Sequence, residues 1–98
     1  MSSRKHIILA ILPVKPENLE EIKSLSAETL VPTLAEEGCE MFYQTSKKDD
    51  PSTLVFFEVF ESKAAADWHR EQGYTQKFFT GIEGKLSGEP SLTVLEQL

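Results

Sequence analysis

Apolar residues run almost unbroken from His6 to Leu12, where Pro13 and Pro16 stop them, and this dense, β-branched stretch (His6–Val14) predicts a strand. Pro16 then pre-sets the dihedral of a first helical turn, and Glu17, Glu20 and Glu21 favour the positive end of a helix dipole. Leu19, Ile22, Leu25, Thr29, Leu30 and Leu34 recur at helical spacing, which predicts a helix running to Gly38 as its C-cap. Pro32 should kink that helix or split off its last turn. Cys39–Ser46 and Thr53–Phe60 read as two strands joined through the polar turn Lys47–Pro51, a hairpin. Ser62 can cap a short helix through Arg70, favoured by three alanines and broken by Gly73. Tyr74, Phe78, Ile82 and Leu86 return every four residues and predict a further helix to Gly88, weakened by Gly81 and Gly84. Ser91–Leu98 closes the chain as a last strand.

Strand, helix, strand, strand, helices, strand is the order of a ferredoxin-like α+β fold: a four-stranded antiparallel sheet with helices on one face. A sheet covered on one side should alternate apolar with polar residues. Ile7–Leu12 and Leu54–Phe57 do not alternate, so both faces read as buried. Two helical segments can cover only one face. A second copy packing sheet against sheet accounts for the other face, which predicts a homodimer.

The chain's 98 residues suffice for one domain, spanning 1–98, and no repeat or linker interrupts them. A net charge of −6 with no basic run argues against nucleic acid as a partner. The apolar run behind Arg4 and Lys5 is too short for a membrane span and lacks a cleavage site, so it reads as a strand rather than a secretory signal. Cys39 is the single cysteine, which excludes an intrachain disulfide and Cys/His metal spacing and suits a reducing cytoplasm.

The stretch Leu54–Phe79 carries the candidate chemistry. Glu58 interrupts an apolar strand, and such a carboxylate is costly unless something pairs with it or uses it. His69 follows on the short helix, and imidazole is the side chain best suited to move protons near neutral pH. Trp68 is rotated by about 100° from it, so the two cannot point the same way. Each residue also has a plainer role: Trp68 in the core, His69 at the surface or hydrogen-bonded within, Glu58 in an ion pair with Arg70 or a partner lysine. Tyr43 and Tyr74 offer phenols that can simply pack. No GxSxG, HExxH, P-loop or GxGxxG pattern occurs, so reactivity would have to come from the substrate.

Glu37-Gly38-Cys39, Tyr43, and the series Phe57-Glu58-Val59-Phe60-Glu61-Ser62, Trp68-His69, Tyr74 and Phe78 together resemble the antibiotic biosynthesis monooxygenase family of dimeric α+β barrels. The resemblance spans nearly the whole chain, and among characterised members the chain looks like the bacterial quinol monooxygenases. It implies a cofactor-free enzyme oxidising a quinol or polyphenol with molecular oxygen. By the same resemblance His69 is the proton-transfer or orienting residue, Glu58 its polar partner, and Trp68, Tyr43, Tyr74, Phe56 and Phe78 are ring contacts. Heme-degrading relatives carry an axial histidine where this chain has Phe78, so heme is not implied. Two readings compete: an isomerase or tautomerase of a small polar carbonyl compound, phosphorylated or not, using the same acid–base pair, and a non-catalytic dimeric barrel that binds a small hydrophobic ligand or another protein.

Overall fold

The computed structural model describes residues 4–98. β1 (His6–Pro13) is followed by a 3-10 turn (Pro16–Asn18) and α1 (Leu19–Leu34), then by the hairpin β2 (Cys39–Lys47) and β3 (Asp50–Phe60). α2 (Lys63–Arg70), α3 (Gly73–Gly81) and β4 (Ser91–Leu95) complete it. The four strands form one antiparallel sheet in the order β2-β3-β1-β4, the ferredoxin-like arrangement expected. β4 pairs with β1 of its own chain, Ile7 opposite Leu95 through Ile11 opposite Ser91.

Parity decides the core. Ile8, Ala10 and Leu12 of β1, Phe42 of β2, and Leu54, Phe56, Glu58 and Phe60 of β3 share the face beneath the helices, and all are buried. Ile22 of α1 and Phe78 of α3 pack onto Ala10, Leu12 and Phe56. On the other face Ile7, Leu9, Ile11, Val55 and Phe57 are only half-buried, while Met41 and Tyr43 are exposed. The unbroken apolar runs thus supply one face to the helices and leave a second, equally apolar, uncovered in the single chain.

Three helix expectations change. α1 keeps Pro32 inside one helix instead of splitting off its last turn, and stops at Leu34, capped by Ala35 in a right-handed conformation. Gly38 is therefore not a left-handed C-cap; a Cβ there would lie 2.4 Å from the Ala65 Cβ, so its role is the close approach of β2 to α2. α3 ends at Gly81 rather than Gly88. Gly84, at φ 77°, turns the chain away, while Ile82, the C-cap of α3, and Leu86 still reach the core from outside the helix body. The four-residue spacing reported their packing, not a continuous helix.

The expected stripe of α1 holds in part: Ile22 and Thr29 face inward and Leu19 and Leu25 pack against the core, but hydroxyls take further inward positions. Ile22, Ser26, Thr29 and Thr33 are buried, whereas Leu34 is exposed. Hydroxyls can sit inside when helix carbonyls accept from them. Ser26 Oγ donates to the Ile22 carbonyl and Thr29 Oγ1 to that of Ser26. Gln44 on β2 reaches both residues through its amide, tying α1 to the sheet edge.

Candidate active site

Between sheet and helices lies a cavity of about 110 Å³. β1 and β3 supply its floor through Ile8, Ala10, Leu12, Phe56 and Glu58, and Phe42 joins from β2. His69 of α2 and Thr75 and Phe78 of α3 form the roof. Arg70, Phe79 and Leu92 line it too and are exposed, which places its mouth between β4 and the helices.

His69 is held by a local device the sequence makes plain. The Ser62 side chain accepts from the Ala65 N–H and starts α2, and two turns later His69 faces inward. Its ring packs 5.0 Å from Phe60 and 5.7 Å from Phe42, centroid to centroid. Its Nδ1 lies 2.7 Å from Oε2 of Glu36, whose side chain is 3% exposed. Tyr74 donates its hydroxyl to the same oxygen at 2.5 Å. Burial first, and the Glu36 carboxylate second, push the Tyr74 phenol well above its ordinary range, so it stays a donor. An oxygen accepting from two sides fixes the imidazole proton on Nδ1. Nε2 makes no hydrogen bond to the described residues and is the nitrogen free to meet a guest.

Glu58 stands between Ile8 and Phe42 in the sheet, 8% exposed. Its side chain has no hydrogen bond or ion pair among the described residues; its expected partner Arg70 instead lies 3.6 Å from Asp67. Burial raises the carboxyl's pKa to about 7, with Glu36 adding repulsion and Arg70 opposing it weakly. A carboxyl poised near neutrality, facing a cavity without a partner, can hold or take up a proton there. Thr75 also borders the cavity, and its buried hydroxyl has no partner among the described residues. Such an orphan costs about 1–3 kcal/mol. Cys39 is different: burial, with Glu36 and Glu58 nearby, raises its thiol to about 11, which keeps it protonated and unreactive. Among the described residues no three His, Cys, Asp or Glu side chains gather as a metal site would need. No helix there is long and apolar enough to cross a membrane.

The family model for antibiotic biosynthesis monooxygenases matches residues 6–81. The chain belongs to the antibiotic biosynthesis monooxygenase family. Rv0793 of Mycobacterium tuberculosis, named as a proposed monooxygenase, is 29% identical over all of this chain and 95% of its own length. YcnE of Bacillus subtilis, named likewise, is 31% identical across 74% of this chain and 76% of its own. An uncharacterised Synechocystis protein is 29% identical over 74% of this chain, which spans only about half (49%) of that relative's length. The solved structure of Rv0793 superposes with a TM-score of 0.90 at 26% identity, covering 96% of this chain and 95% of that one. A proposed antibiotic biosynthesis monooxygenase of Nitrosomonas europaea superposes at 0.92 with 16% identity, covering 100% and 94%, a likeness of fold.

Within this family member the sequence candidates separate. Glu58, His69, Phe56 and Phe78 converge on the cavity. Tyr74 stands behind it, bonded to Glu36 rather than lining the space. Trp68 is 54% exposed and lies in an outer groove with Glu37, Gly38 and Glu61, because one helix step separates it from His69. Tyr43 is 56% exposed on the opposite face of the sheet, opposite Phe57 rather than Glu58. The polar partner of His69 is Glu36, not Glu58. Glu36 and Thr75 escaped the sequence reading. Glu36 had a signal: Ile22, Ser26, Thr29, Thr33 and Glu36 continue one stripe at four- and three-residue steps.

Proposed function

We propose that the protein is a cofactor-independent monooxygenase that oxidises a quinol or related polyphenol with molecular oxygen. The observation that carries this reading is an apolar cavity into which an unpartnered carboxyl and a tautomer-fixed imidazole both face. Triplet oxygen reacts slowly with closed-shell organics unless the organic molecule yields an electron, and an ionised quinol does so. His69 Nε2 takes the phenolic proton, and Glu36 steadies the imidazolium that forms. The quinolate gives one electron to oxygen, and the radical pair combines at ring carbon to a hydroperoxide. Loss of water from that hydroperoxide leaves a hydroxyquinone, the imidazolium returning its proton to the departing oxygen. The quinol supplies all the electrons, so one quinol and one oxygen give one hydroxyquinone and one water.

The names of the relatives and family membership support the monooxygenase class. The apolar wall argues against the competing isomerase of a phosphorylated compound, for Arg70 is the single cation among the lining residues. Sheet-to-sheet pairing of two copies completes the reading: it covers Ile7, Leu9, Ile11 and Phe57 and buries Tyr43 in the interface. Oxygen uptake with a panel of hydroquinones and catechols tests the proposal. Uptake that depends on protein and yields a hydroxyquinone without hydrogen peroxide is expected. No uptake with any ring of the panel would overturn it.

A further inference from the structure

The cavity is polarised along the strands. Glu58 faces it from the row of Ile8 and Phe42, and His69 packs on Phe42 and Phe60 above that row. Thr75 lies one helical turn before Phe78, on the side of α3 that begins at the Glu36–Tyr74 contact. These three polar groups therefore gather at one end. Toward the other end come Ala10 and Phe56 in the next row and Leu12 in the one after, with Phe78 packed 5.8 Å from Phe56 and Ile82 beyond it. Thr29 is the polar exception in that direction, but its hydroxyl already donates to Ser26 and accepts from Gln44.

Size is limited as well. At about 110 Å³ the space is of the order of the apolar protein cavities, roughly 150 Å³, that take up benzene. One ring fits. A fused ring system would extend from it toward the mouth at Arg70, Phe79 and Leu92.

We infer that the cavity selects a single aromatic ring bearing two adjacent hydroxyls, a catechol-type compound, with one hydroxyl on Glu58 and His69 and the other on Thr75. A para-hydroquinone of the same volume would bury its second hydroxyl against Phe56, Phe78 and Leu12 without a partner. The orphaned Thr75 hydroxyl gains its missing partner only from the adjacent arrangement. This inference rests on the proposed reading of the cavity as a phenol site, and it makes Thr75 a specificity-determining residue.

Anaerobic calorimetric titration tests it, because binding is then read without turnover. Native protein and Thr75→Val receive catechol, phenol and hydroquinone in turn. Catechol is expected to bind native protein about 10-fold more tightly than hydroquinone, and Thr75→Val to weaken catechol about 3- to 10-fold while leaving phenol unchanged. Hydroquinone binding as tightly as catechol to native protein would overturn the inference, whether or not the variant folds. Equal effects of Thr75→Val on phenol and catechol, or no binding by any of the three, would overturn it too. The expected binding order without oxygen uptake would remove the monooxygenase reading and leave this one standing.

Discussion

Glu36 and His69, 33 residues apart in sequence, meet at 2.7 Å between Oε2 and Nδ1, and Tyr74 closes the same carboxylate from the other side. The contact joins the end of α1 to the end of α2 across the cavity's rim. It sets which imidazole nitrogen carries the proton and keeps the ring against Phe42 and Phe60. The proposed base is thus oriented by a residue that does not itself line the cavity.

Replacing Glu36 with Gln removes the charge and lets the amide present a donor to Nδ1, favouring the wrong tautomer. Turnover should fall on the order of 10²-fold or more, as loss of a positioned base does. Tyr74→Phe, which leaves the Glu36–His69 contact in place, should cost well under 10-fold and about 1 kcal/mol of stability. Steady-state rates of the two variants, with urea titrations beside them, make the comparison. Equal activity losses in both would assign Glu36 a structural role only.

Glu58 gives a pH dependence of known sign. Its folded pKa, about 7, lies above the ordinary 4.5, so between those values the folded state holds a proton that the unfolded chain has released. Stability is therefore greatest below pH 4.5 as far as this group is concerned, falls as pH rises toward 7, and levels off above. The full excursion is roughly 3 kcal/mol. Glu58→Gln should flatten the slope between pH 5 and 8 in urea unfolding. A variant retaining the native slope would show that Glu58 titrates normally.

Gly38→Ala tests how closely α2 must approach the sheet. The added Cβ collides with Ala65, one turn before His69, and Ala65 cannot yield without moving α2. A loss of about 1–3 kcal/mol is expected from overpacking. Activity should fall further than stability explains, since the same shift pulls His69 from Glu36. Ser62→Ala weakens the start of that helix by about 1 kcal/mol without moving it, so turnover should persist at temperatures where the variant is folded. Thermal melts and rates of both variants decide it.

What was legible in the chain followed from short-range rules. Glu58 stood out as a carboxylate inside an apolar strand, Ser62 announced α2, and the unbroken apolar strands exposed a second interface-like face. What was not legible depended on meetings across the fold. Glu36 and Glu37 are adjacent carboxylates just past a helix, and only the right-handed cap at Ala35 turns the first inward. The stripe expected on α1 holds at Ile22 and Thr29, with Leu19 and Leu25 packed on the core, but Leu34 is exposed and Ser26 and Thr33 are buried; helix carbonyls accept from the Ser26 and Thr29 hydroxyls. Ile82 and Leu86 pack where predicted but outside the helix body, Ile82 as the C-cap of α3 and Leu86 past the left-handed Gly84.

The uncovered face of the sheet yields the last prediction. Leu9 sits at its centre, opposite Phe57 on one neighbour and Thr93 on the other, and points away from the helices. In the proposed dimer it is buried against the second sheet at about 10 Å layer spacing. Leu9→Lys places a charge there without touching the helix-side core of Ile8, Ala10 and Leu12. The native protein should sediment as a dimer at micromolar concentration, and the variant as a folded monomer with unchanged far-ultraviolet dichroism. Because β1 and β3 carry both this face and the cavity floor, loss of the partner should also loosen Glu58 and lower turnover. A native protein that sediments as a monomer would remove the dimer, and with it the explanation for so apolar an outer face.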